Sequence, residues 1–169
     1  MAFESLLDEA LEAWQFTRAG VIEEVENLSE AELKFRPHPE SRTPAELVIH
    51  LVQSGLMMAG ELTRPNGSFR RQPFPAFIKE YAGHIQPTTK KRELVRMLKR
   101  THVEAERKIR AAGELQMVQL ITRFDSKLGT RLAWMNHAIA HEEYHRGQLA
   151  LYARLVGRVP ALTRRIRGG

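Results

Sequence analysis

Four stretches of this 169-residue chain repeat apolar residues every three to four positions, and none shows a convincing strand-type alternation. The first runs from about Phe3 to Asn27, with Leu7, Ala10, Trp14, Thr17, Val21, Val25 and Leu28 along one face. Ser29 and Glu32 then form a capping-box pattern for a short turn, and Pro37 and Pro39 break the chain. A second helix should run from Pro44 to about Thr63. Thr43 caps it, Pro44 takes its first position and Glu46 returns the cap's hydrogen bond. Leu47, Leu51, Ser54 and Met58 form its inner stripe, and His50 lies on the stripe's edge. The third spans Thr89 to Ala112 and stops at Gly113; its inward residues are Leu94, Met97, Leu98, Thr101, Ala105 and Ile109. The fourth runs from about Thr130 to Val156, before Gly157 and Pro160. Four apolar stripes of this kind are buried by packing against one another, so the chain reads as an all-α four-helix bundle. The proline- and arginine-rich connection to about Pro87 and the linker through Asp125 and Gly129 read as irregular.

The length fits a single domain over residues 1–169, with the basic tail from about residue 163 read as flexible. No cysteine is present, which removes disulfides, thiolate ligands and a protein thiol nucleophile together. Met1 to Trp14 carries Glu4, Asp8, Glu9 and Glu12 and does not resemble a secretory signal; no apolar run approaches the roughly 20 residues that cross a bilayer. The expected compartment is the cytoplasm, with no membrane partner. The net charge of +6 raises nucleic-acid binding, but the excess is scattered over Arg70–Arg71, Lys90–Arg92 and Arg164–Arg167. That distribution reads as solvated surface and argues against a nucleic-acid partner.

The chemistry concentrates in the fourth helix, where His137, His141 and His145 recur at steps of four and stack along one side. That side also carries Trp134, Ala138, Leu149 and Tyr152, so the histidines are expected to face the core. His137 by itself reads as a core histidine or a residue lining a pocket. The pair His141 and His145 reads as a metal site, because imidazoles one turn apart reach a single ion and are costly to bury unpaired. His141-Glu-Glu-Tyr-His145 matches the H-E-x-x-H pattern of zinc peptidases literally, yet no His, Asp or Glu follows His145 to complete such a site. The third ligand therefore lies upstream, among His38, His50, His84, His102 or a carboxylate. His50 is the best placed of these, while His38, His84 and His102 read as exposed. Three neutral histidines leave a coordination position open, as a catalytic site requires.

Leu28-Ser29-x-x-Glu32-Leu33-x-x-Arg36-Pro37, Thr43-Pro44-x-Glu46-Leu47-x-x-His50-Leu51 and His141-x-x-x-His145-Arg146-Gly147-Gln148-Leu149 together resemble the DinB-like, or YfiT-like, superfamily. The last motif is the specific one, and the three cover nearly the whole chain in order. The resemblance implies an up-down-down-up bundle, a homodimer, and a zinc or nickel ion on His50, His141 and His145. It further implies thiol-dependent transferase, hydrolase or isomerase chemistry on a small electrophilic molecule, with a low-molecular-weight thiol as a cofactor. A non-enzymatic metal-binding or stress-response dimer is the alternative.

Further roles are expected around this set. Glu142 is the candidate base, with solvent exposure as its competing reading. Glu46 reads as a capping residue, Arg146 as a partner of an acidic neighbour, Gly147 as a point of close helix approach, and Gln148 as satisfying a buried polar group. Met57, Met58 and Met97 read as core.

Overall fold

The computed structural model describes residues 4–168. Four long helices, α1 (Leu6–Asn27), α2 (Pro44–Thr63), α4 (Lys91–Met117) and α5 (Arg131–Leu155), form the bundle. They are joined by two short helices, α3 (Phe74–Ala82) and α6 (Ala161–Ile166), and by a hairpin of β1 (Leu120–Thr122) and β2 (Leu128–Thr130). The local signals behave as their chemistry dictates. Thr43 Oγ1 accepts from the Glu46 amide at 3.2 Å while the Glu46 carboxylate accepts from the Thr43 amide at 2.8 Å, so α2 starts on a complete capping box. Ser29 and Glu32 make the same reciprocal pair around a 3-10 turn, Glu32–Lys34. Gly113 interrupts α4 where a stop is expected: it adopts φ 77 and ψ 164, a non-helical conformation open to glycine, and one further turn follows to Met117.

Two apolar clusters fill the interior. Val21, Val25, Leu51, Leu94, Leu98 and Leu149 belong to one, at the end of the bundle where α1 finishes. Trp14, Met58, Phe69, Phe77, Ile109 and Trp134 belong to the other, beneath α3 and the hairpin. Each fully buried leucine contributes on the order of 1.5–3 kcal/mol through water exclusion.

Polar contacts fix which ends meet. Arg110 of α4 donates to Asp8 of α1 at 2.6 Å, and Arg18 of α1 donates to the Leu98 carbonyl of α4 at 3.0 Å. Gln116, late in α4, donates to the Thr63 carbonyl at the end of α2 at 2.8 Å. At the start of α5, Arg131 is buried and donates to the Leu62, Arg64 and Pro65 carbonyls, at 2.6, 2.9 and 3.0 Å. Late in α5, the Tyr152 hydroxyl donates to the Arg42 carbonyl just before α2, at 2.9 Å.

Two expectations are corrected, and the tail makes contacts that carried no sequence signal. The connection after α2 contains α3, which packs Phe77 and Ala82 inward, and Arg71 ties it down by donating to the buried Glu61 carboxylate at 2.8 Å. The linker before α5 forms an antiparallel hairpin in register Leu120 to Thr130, with Ile121 buried. The tail is held as far as α6: Glu24 accepts from the Ala161 amide at 3.1 Å, Arg164 donates to Asn27 at 2.6 Å and Arg165 to Glu23 at 2.7 Å.

Candidate metal centre

α2 presents His50 and α5 presents His141 and His145 toward each other, and their Nε2 atoms converge. His141 Nε2 lies 3.1 Å from His50 Nε2 and 3.1 Å from His145 Nε2. The three ligand atoms lie within 4.8 Å of one another, and among the described residues no fourth histidine or carboxylate joins the group. Nitrogens bound at 2.0–2.1 Å stand about 3.3 Å apart around a tetrahedral ion and about 2.9 Å apart around an octahedral one. The two edges that meet at His141 Nε2 fall between these values, which suits a first-row divalent ion without selecting which.

The outer nitrogens point the same way. Gln148 Oε1 is 2.6 Å from His145 Nδ1, and an amide oxygen only accepts, so Nδ1 carries the proton and Nε2 presents a lone pair. Ser54 Oγ stands 3.5 Å from His50 Nδ1 and can accept from it in the same way. Lone pairs from His50 and His145 thus face His141 Nε2, which carries at most one proton to share between them. A cation among the three resolves that conflict. Burial holds the His50 ring at about 4, helped by the positive charge of Arg42 and by the other two rings. Burial likewise brings His141 to about 4, with the charges of His145 and His137 adding to it, and lowers His145. All three are neutral near pH 7, the protonation state that ligates metal.

Glu142 stands elsewhere. Successive residues on a helix diverge by about 100°, so with His141 facing α2 its neighbour faces α1. The Glu142 carboxylate is buried there, accepting from Arg18 Nε and, at 2.9 Å each, from Arg18 Nη2 and Trp14 Nε1. The competing reading of solvent exposure is thereby corrected: Glu142 is buried, and as a candidate base its carboxylate is already engaged by three donors. Arg18 carries no obvious signal, being one cation among polar residues of α1.

His137 does not face the core. It is exposed and stacks on the Trp134 ring, centroids 4.3 Å apart and planes 10° apart, at the edge of a small apolar cavity of about 100 Å³. His50, His141, Met57, Met58, Phe74 and Phe124 also line that cavity, so the two methionines serve both core and pocket. On the other side, His50 borders a wider polar cleft of about 800 Å³ with Lys34, Arg36, Arg42 and Gln53. His38 and His84 are exposed, as expected, but His102 is 7 % exposed, edge-on to Trp14 with centroids 4.7 Å apart.

Of the supporting residues, Gln148 satisfies a buried group as expected, on His145 itself. Glu46 caps α2 and also accepts from Arg36 at 2.7 Å. Arg146 donates to Glu143 at 3.0 Å. Gly147 is not a point of close approach, since a Cβ there would meet nothing within 4 Å; Gly20 is, because its Cβ would fall on the Arg146 guanidinium.

Known proteins share this architecture. The DinB-like protein YjoA of Bacillus subtilis superposes with a TM-score of 0.68 at 20% identity, over 89% of this chain and 93% of that one. YfiT of Bacillus subtilis, described as a probable metal-dependent hydrolase with an unusual four-helix bundle topology, gives 0.64 at 16% identity over 94% of both chains. A mycothiol-dependent maleylpyruvate isomerase gives 0.66 at 12% identity, over 88% of this chain and 63% of the isomerase. At these identities the likeness establishes the fold. Among curated protein sequences, none matches the chain. The family model of the DinB superfamily matches residues 13–149, spanning α1 through the His141–His145 pair to Leu149, and the chain belongs to the DinB superfamily.

Proposed function

We propose that the protein is a metal-dependent enzyme that adds or transfers a small thiol, or water, to a small electrophilic molecule. The observation that carries this reading is the convergence of the His50, His141 and His145 Nε2 atoms with no fourth protein ligand among the described residues. His50, His141 and His145 would hold a divalent ion, zinc or nickel by the superfamily resemblance, which would supply Lewis acidity for activating water or a thiol near neutral pH. The chain's own residues hold and shape the site. Gln148 fixes the tautomer of His145, Ser54 offers an oxygen to His50 Nδ1, and burial keeps all three rings unprotonated. Met57, Met58 and Phe124 exclude water on one side, and His137 lines the entrance beside them.

Metal content per chain, measured after purification without a histidine tag, tests the site. The expected result is close to one ion in the wild type and its loss in each of His50→Ala, His141→Ala and His145→Ala. A wild type that cannot be loaded, or a His50→Ala protein that keeps its ion, overturns the ligand set.

The order up-down-down-up is the reading of the bundle. Supporting it, α1 meets α5 at Trp14–Glu142 and again at Asn27–Val159, in the same direction, while α2 meets α5 at Arg42–Tyr152 and Leu62–Arg131, in opposite directions. A homodimer is also proposed, supported by Tyr144, Leu151 and Leu155 along one exposed face of α5 with Leu162 and Ile166 of α6 beyond it. Light scattering should give twice the chain's 19.4 kDa at micromolar concentration, and a monomer mass sinks the proposal.

A further inference from the structure

The histidine cluster stands between two cavities of opposite character, and His50 borders both. In the polar cleft, Arg36 is already paired: it donates to Glu46 at 2.7 Å and to the Ser41 carbonyl. Lys34 and Arg42 have no carboxylate within salt-bridge distance among the described residues, and both are exposed to the cleft. Arg42 is also fixed at its backbone, because its carbonyl accepts from Tyr152 and the next residue is the cap of α2. An unpaired guanidinium beside a metal cluster is a fork for an anion. The opposite cavity, about 100 Å³, is lined by Met57, Met58, Phe74, Phe124 and Ala138 around His50, His137 and His141. Its size is of the order of the ~150 Å³ of an apolar cavity that takes up benzene, which suits a short alkyl group or a small ring.

The geometry points to a two-ended ligand for this site: a small carboxylate whose anionic head is held by Arg42 in the polar cleft and whose apolar end enters the Met57–Met58–Phe74–Phe124 cavity, passing over the histidine cluster. This deepens the proposed function and rests on it only in taking that cluster as the place of chemistry. Arg42 binds the head, Lys34 adds charge to the cleft, and the thioether and aromatic surfaces choose the tail. Uncharged molecules of the same length bind more weakly because they forgo the charge-assisted hydrogen bonds to Arg42.

Ligand-observed NMR titration of the zinc-loaded protein with acetate, butanoate and hexanoate, and with hexanamide, tests this. Affinity should rise roughly three- to fourfold per methylene until the cavity is full, and hexanamide should bind at least about tenfold more weakly than hexanoate. Arg42→Gln should weaken hexanoate about tenfold or more while leaving metal content intact. Phe74→Ala, a substitution at a 44% exposed position, should flatten the dependence on chain length and leave acetate binding unchanged. Equal binding of hexanoate to wild type and Arg42→Gln places the carboxylate on the metal instead and overturns the inference, as does affinity independent of chain length. Metal content of the same samples separates the two readings. If the chain takes no metal, the metal proposal fails, while the Arg42 and chain-length comparisons on the metal-free protein still decide this one.

Discussion

A neutral imidazole enclosed against the edge of Trp14 makes His102 an acid-sensitive point of the core. Both its ring nitrogens are buried without a hydrogen-bond partner, and its nearest carboxylate, Glu106, is 4.0 Å away. Burial, with the positive charge of Arg18 adding to it, lowers its pKa from 6.5 to about 4. Between those two values the unfolded chain takes up a proton that the folded chain refuses, so stability is full above pH 6.5 and is lost as pH falls toward 4. Comparing urea unfolding at pH 7 and pH 5, the wild type should lose roughly 2 kcal/mol more than His102→Phe. The cluster histidines titrate in both proteins and cancel; equal losses would show that His102 adds nothing. Its burial was hidden in the sequence by the charged residues around it. The inward stripe of α4 is wide enough to take both Thr101 and His102, and a wide stripe is what a bundle helix presents. Glu142 misled for a related reason: the metal-ligand motif drew attention to its sequence neighbour, whereas helix geometry turns it toward α1. Its pair with Arg18 is close to neutral for stability as a pair, but removing either partner would strand a buried charge at a cost of about 3–5 kcal/mol.

Elements with strong periodicity and explicit caps were legible and those without were not. The range of α2 agrees with its capping box at one end and Arg64-Pro65 at the other, and the stripes of α1 and α2 are buried residue for residue. Gly113 was legible as the stop of the long regular part of α4, whereas the extra turn from Glu114 to Met117 beyond it carried no signal of its own. The hairpin has strands of three residues with one inward side chain, Ile121, too short for alternation to register. α3 did carry a readable signal, Pro73 and Pro75 at its start and Phe77, Ile78 and Tyr81 at helical spacing, obscured by its arginine-rich approach. Within the candidate site, His141 and His145 were legible from their spacing of four along one helix face, and His50 from its place beside the apolar stripe of α2 and from the family resemblance. Arg42 and Ser54 were not legible as site residues, since their part depends on which helix lies opposite.

Helices that slide past one another by a single residue move about 1.5 Å, whereas metal–ligand distances tolerate roughly ±0.2 Å. Two helices carrying a shared ion therefore require their relative displacement to be set by something stiffer than apolar packing. Arg131 and Tyr152 supply it, gripping opposite ends of the α2–α5 pair like the jaws of a caliper: one holds the carbonyls that end α2, the other the carbonyl that precedes it. His141 and His145 lie between, about 15 and about 21 Å along α5 from Arg131. Arg131→Met should thus weaken zinc about tenfold in competition against a chelator, with all three histidines in place. A lowered unfolding midpoint with zinc affinity unchanged would reduce Arg131 to a staple. If the proposed ion is held there, its selectivity is gauged at the ends of the bundle, and a variant altering either jaw would shift which ion fits before it altered whether the chain folds.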